Sequence, residues 1–150
     1  MKVPFSVTII IAAPREEVWR KLVHWSSQGE WMALTYVHAS HQGADDSGIG
    51  TTIEAFTGVG KLGVLDRMKV TQWQPPEFCA VDHYGRLIRG LGEFRLTRIS
   101  QDQGEATKFH WYEEIEGPRF LLLLLKPGIL VGVYLTLRKF AKSFVKIRPE

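Results

Sequence analysis

A chain of 150 residues amounts to about one domain, and at that size roughly 70% of the unfolded surface can be buried, so a core needing no disulfide or metal staple is expected. The single cysteine, Cys79, excludes an internal disulfide and a cysteine-rich zinc site, and it fits a reducing, cytoplasmic setting. The net charge of +3 is unevenly spread, because from Arg119 onward seven basic residues oppose Glu150 alone, a net of +6 against −3 for the rest; without a basic-aromatic surface pattern or a module signature, nucleic acid is not an expected partner.

The opening MKVPFSVTIIIAAPREE superficially resembles a secretory signal, but Pro4, Ser6 and Thr8 interrupt the apolar run and Glu16 and Glu17 follow at once. It reads instead as a strand, Phe5 to Ile11. A helix follows: Pro14 occupies its first turn, Glu16 and Glu17 suit the positive end of its dipole, and Val18, Leu22 and Trp25 recur on one face. Ser26 to Met32 suggests a second short helix. Six more strands are predicted, about Leu34 to His41, Thr51 to Thr57, Val64 to Trp73, Phe78 to Tyr84, Ile88 to Ile99 and Thr107 to Ile115, separated by QGADDSGIG, GVGKLG, QPPE, YGR and SQDQGE. Seven strands joined by short links imply antiparallel neighbours.

The last stretch, RFLLLLLKPGILVGVYLTLRKFAKSFVKI, has helical propensity. Phe120 to Leu137 is 18 residues long, close to the ~20 that cross a bilayer core, yet Lys126-Pro127-Gly128 places a charge and a helix breaker at its centre. Beyond that point Leu130, Val133, Tyr134, Leu137, Phe140, Ala141 and Phe144 form a stripe opposite Arg138, Lys139, Lys142 and Lys146. Such an amphipathic helix is expected to lie on the protein's own sheet, with weak contact to a membrane surface as the alternative. With neither repeat nor low-complexity linker, residues 1–150 form a single α+β domain.

The element order, with the runs DRMKVTQWQPPEFCAVDHYGRLIRG, GEFRLTRI and KFHWYEEIEGP, resembles the START-related superfamily that includes polyketide cyclases/dehydrases and lipid-transport proteins. The likeness covers nearly the whole chain and is most specific at Asp66 to Pro76, His83 to Gly90 and Phe109 to Glu113. It implies a helix-grip fold, in which a curved seven-stranded antiparallel sheet wraps a long C-terminal helix, two short helices follow strand one, and sheet and long helix enclose a cavity for an apolar ligand. The Lys126-Pro127-Gly128 run departs from the pattern and implies a helix that kinks or starts late.

Strand alternation then identifies polar groups on the face turned toward that cavity. In the last strand Thr107, Phe109, Trp111, Glu113 and Ile115 share a face, so Glu113 interrupts an apolar row while Glu114 lies on the polar side. Asp66 is the corresponding exception beside Val64, Met68 and Val70, and His83 follows Cys79 and Val81. Asp66, Met68, Val81, His83, Phe94, Phe109, Trp111 and Glu113, with Leu130 and Tyr134 from the helix, are the expected ligand-binding residues. A buried carboxylate costs several kcal/mol unless paired, hydrogen-bonded or neutral, so Glu113 and Asp66 each require a partner or a ligand.

No enzyme signature accompanies these residues. His24, His38, His41, His83 and His110 are scattered, so no metal site or other cofactor is expected. The serine turn of the hydrolases is absent, Cys79 lacks a cationic neighbour in sequence, and GVGKLG matches no phosphate loop. The expected function is binding, and by extension transport, of a hydrophobic small molecule such as a lipid, polyketide, quinone or aromatic metabolite. The alternative is a cyclase- or dehydratase-like enzyme in which Glu113 and His83 exchange protons with the substrate.

Overall fold

A computed structural model describes residues 2–32, 35–40, 48–101 and 104–144. Strand β1 (Lys2–Ile11) leads into helix α1 (Arg15–Leu22) and a 3₁₀ helix (Trp25–Glu30). Strands β2 (Thr35–Ser40), β3 (Thr52–Val59), β4 (Leu62–Gln74), β5 (Phe78–Tyr84), β6 (Arg89–Gln101) and β7 (Gly104–Glu116) precede helix α2 (Arg119–Lys142). The strands form one antiparallel sheet in the order β1-β7-β6-β5-β4-β3-β2. All seven expected strands are present, most of them longer than their apolar cores suggested. Leu34 and His41, the expected limits of the second strand, lie outside the described residues.

Local chemistry accounts for these elements. Pro4 is tolerated in β1 because that strand is an edge, paired only with β7. Pro14 caps α1, Glu16 and Glu17 occupy its first turn, and Arg20 and Lys21 its last. The second helix, expected as Ser26 to Met32, starts earlier and winds as 3₁₀. In β4 the register shifts between Val70 and Gln72 opposite β5, a bulge that bends the strand, and Thr71 there donates its hydroxyl to the Ala80 carbonyl.

The largest correction concerns α2. The helix expected to kink or start late at Lys126-Pro127-Gly128 does not start late: it begins at Arg119 and continues for 24 residues with Pro127 inside it. Pro127 and Gly128 face solvent, so the hydrogen bond that proline removes is lost on a side where water can replace it. Lys126 turns the other way and lies over the Phe5 ring, 5.6 Å from its centroid.

The core fills the concave face of the sheet at one end. Trp19 of α1 meets Trp73 edge-on at 5.1 Å, Trp31 tilts against Phe140 at 4.6 Å, and Phe140 also reaches Phe109 and Phe144. Lys21 Nζ donates to Ser143 Oγ at 2.6 Å, tying α1 to the end of α2. Leu137 and Phe140 are the fully buried side chains of α2, whereas Leu121, Leu124, Leu125, Val131 and Leu135 remain exposed. The expected packing of α2 on the sheet therefore holds for its C-terminal half and one stripe.

Candidate functional site

The inward face of β4 carries Asp66, Met68 and Val70, and that of β5 carries Cys79, Val81 and His83. Met68 lies directly opposite His83, which places Asp66 diagonally across from the imidazole. His83 Nδ1–H donates to Asp66, with Oδ1 at 2.8 Å and Oδ2 at 3.1 Å. On the other side of the ring, Nε2 lies 3.5 Å from Glu113 Oε1. That is ion-pair distance, and among the described residues Nε2 has no hydrogen-bond partner.

Glu113 and His83 stand on strands separated by β6, roughly 10 Å apart at the backbone. They meet because the intervening position is Gly92, opposite both Glu113 and Val81. A Cβ there would sit 2.9 Å from His83 Nε2 and 3.0 Å from Val81. Nearby Gly90 has φ +136° and no room for a Cβ against the Glu114 carbonyl. Sequence reasoning gave Gly92 no role; its signal was the pair of inward-facing glycines in RGLGEF, inside a run that otherwise favours a strand.

The electrostatics follow from this arrangement. Burial alone would hold the imidazole neutral, but the hydrogen bond to Asp66 and the close carboxylates of Asp66 and Glu113 outweigh it, and the His83 pKa is pushed up to about 10. The two carboxylates therefore favour the charged imidazolium over the neutral ring at neutral pH. Burial also pushes the Glu113 carboxyl up from its ordinary value; the cationic His83 offsets part of that rise and the Asp66 charge adds to it. Asp66 and Glu113 keep 19% and 18% of their side-chain surface accessible while His83 keeps 2%. Both carboxylates are on the inward face, so the space that solvent reaches there lies on the side of the sheet where α2 runs.

The remaining expected ligand residues divide into two groups. Met68, Phe94 and Leu130 are half-buried and pack against the margin of the core, and Trp111 lies opposite Phe94. Phe109 and Val81 are sealed inside the core, Phe109 between Phe94 and Phe140, so neither has surface to offer a ligand. Tyr134, 42% exposed, sits at the edge of the helical stripe, where a turn of 100° per residue carries it toward solvent. Among the described residues no cluster has the makings of a metal site. Two open clefts lie away from the trio, one of about 610 Å³ beside Gly29, Thr35, Tyr36 and Val59 and one of about 430 Å³ between α1 and Phe144.

No family model and no curated protein sequence matches the chain. Solved structures match at the level of the fold. The Zhui aromatase/cyclase from Streptomyces sp. R1128 has a TM-score of 0.72 at 13% identity, over 95% of this chain and 93% of its own. Protein Ms6760 from Mycobacterium smegmatis has a TM-score of 0.69 at 13% identity, over 97% and 93%. The di-domain ARO/CYC StfQ from the steffimycin biosynthetic pathway has a TM-score of 0.67 at 14% identity, over 95% of this chain and 50% of StfQ. The chain therefore has the helix-grip fold that its resemblance to the START-related superfamily implied.

Proposed function

We propose that this chain binds a hydrophobic small molecule, of the polyketide, lipid or aromatic-metabolite class, between the concave face of the sheet and α2. The observation that carries the reading is the trio of Asp66, His83 and Glu113: a buried cation held between two carboxylates that water still reaches, set on an otherwise apolar face. Apolar walls with a few convergent polar groups are the usual composition of a ligand site. Met68, Phe94, Trp111 and Leu130 supply the apolar wall, and Glu113 supplies the polar anchor. The structural neighbours named as aromatase/cyclases support a ligand of polyketide type. The single, fully buried Cys79 is consistent with a cytoplasmic setting.

The raised pKa of Glu113 favours a second reading, acid/base chemistry on the bound molecule. In that case Glu113 carries the exchanged proton and His83 acts as a fixed cation, because a group titrating near 10 does not release its proton at neutral pH.

Glu113→Gln tests the anchor, since glutamine keeps the volume and can donate a hydrogen bond but carries no charge. The expected result is a melting temperature near that of the parent with changed affinity for anilinonaphthalene sulfonate or a fatty acid. Native mass spectrometry of the freshly purified protein should reveal a co-purifying mass that the variant retains less well. A variant that melts much earlier while its folded fraction binds the probe normally would make Glu113 a structural residue and remove it from the site. Lost turnover of a polyketide-like substrate with unchanged binding would favour the catalytic reading.

A further inference from the structure

The strand directions gather three chain segments at one end of the molecule. β3, β5 and β7 all terminate there, so the β3–β4 turn, the β5–β6 turn and the start of α2 project together. Each segment exposes a large apolar side chain: Leu62 is 83%, Leu87 72% and Phe120 81% accessible. Each also carries an exposed cation within one residue of it in sequence, namely Lys61, Arg86 and Arg119. From Phe120 the outer face of α2 continues apolar through Leu124, Val131 and Leu135, and only then turns basic at Arg138, Lys139 and Lys142.

We propose that this end of the molecule docks onto a lipid bilayer rich in anionic phospholipid, with Phe120, Leu87 and Leu62 entering the headgroup–acyl boundary and Lys61, Arg86 and Arg119 meeting the phosphates. Apolar tips flanked by cations are what an interfacial surface requires, because the side chains leave water while the charges remain at headgroup level. Each cation near an anionic surface strengthens attachment by about fivefold, and three act together here.

Two other arrangements of the same surface fit less well. By length and composition α2 could cross a membrane. Crossing would strip Leu137 and Phe140 from the core and Lys126 from Phe5, and would leave that cation in hydrocarbon. Pairing with a second copy is the other possibility, because Gly128 and Gly132 leave a notch with nothing within 4 Å of either would-be Cβ. A helix pair there would leave Leu62 and Leu87 bare. Side by side and parallel, it would also bring Arg138, Lys139 and Lys142 of the two copies together.

The test is co-sedimentation of the full chain with phosphatidylcholine vesicles, with and without phosphatidylserine. Sedimentation is expected only with phosphatidylserine and should weaken steeply with added salt. Phe120→Ser with Leu87→Ser should lower the partition coefficient at least tenfold, and Arg86→Gln with Arg119→Gln by about 25-fold. These four side chains are exposed and none belongs to the trio or its apolar wall, so melting curves and probe binding should stay at parent values, and vesicle attachment can fail without touching the ligand reading. Sedimentation at the level of the protein alone would overturn the proposal. So would attachment that neither double variant weakens, a dimer whose formation abolishes attachment, or recovery from membranes only with detergent.

Discussion

The two halves of α2 have similar composition and opposite surroundings. Toward its C-terminus, Leu137 and Phe140 are enclosed by Trp31, Phe109 and Phe144, and Lys21 fastens the next turn through Ser143. Toward its N-terminus, leucine follows leucine with only Leu122, Lys126, Ile129 and Leu130 turned inward. Burial in this helix thus depends on what faces it: the rings of Trp31, Phe109 and Phe144 at one end, and β1, with the Phe5 ring beneath Lys126, at the other. Packing energy concentrates where the aromatic side chains meet, and groups able to interact with something outside the chain concentrate where they do not.

The substitution that should separate the two ends most strongly is Phe140→Ala. It removes a ring of zero exposure from contact with three other aromatic side chains, and urea denaturation should show a loss of about 3–5 kcal/mol. Probe binding by the fraction that remains folded should persist, since the trio lies elsewhere. Equal loss of stability and of affinity would mean the ends are not independent.

Asp66→Asn should cost about 3 kcal/mol, the low end for a buried pair broken on one side, because Asp66 keeps some contact with water. Its pH dependence carries the sharper information. His83 and Glu113 both titrate higher in the folded protein than in the unfolded chain, so the native state binds more protons and stability falls as pH rises. The His83 contribution is fully present below its ordinary 6.5 and disappears as pH approaches about 10. Denaturation across that range should therefore show a decline that Asp66→Asn flattens, and NMR of the imidazole should show its pKa reduced. A parent whose stability is level from 6.5 to 10 would mean His83 is not held as a cation.

Gly92→Ala should cost about 1–3 kcal/mol by forcing the imidazole away from the new methyl group. The His83 pKa should fall with it, as contact with Glu113 loosens. The smallest effect belongs to Phe120→Ser, whose exposed ring makes its removal worth under about 0.5 kcal/mol. A large destabilisation there would show that the start of α2 is packed after all and would erase the contrast between its ends.

Alternation made the trio legible before any coordinates, because Asp66 and Glu113 each break an apolar row and His83 lies on the matching row of its strand. It placed residues on a face but could not give their depth: Phe109 and Glu113 are equivalent by alternation, yet the first is sealed beneath Phe94 and Phe140 while the second keeps contact with water. The late start expected at Pro127 did not follow, because exposure of the helix to water there removes much of the cost of a missing hydrogen bond. The role of Gly92 was hidden for a different reason. Its contribution is an absent side chain between two strands, and only the register of three neighbours reveals what that gap admits.

Cys79, at the centre of this sheet with no exposed surface, offers a way to time the domain's motions. Burial pushes its thiol up to about 12, so the reactive thiolate is scarce and shielded while the strands remain paired. A thiol reagent can reach it only when the core over β5 opens, and the labelling rate under native conditions therefore counts those openings. Because the aromatic cluster and the trio lie on opposite sides of this sulfur along the strands, the effect of Phe140→Ala or Asp66→Asn on that rate would reveal from which end the core begins to open.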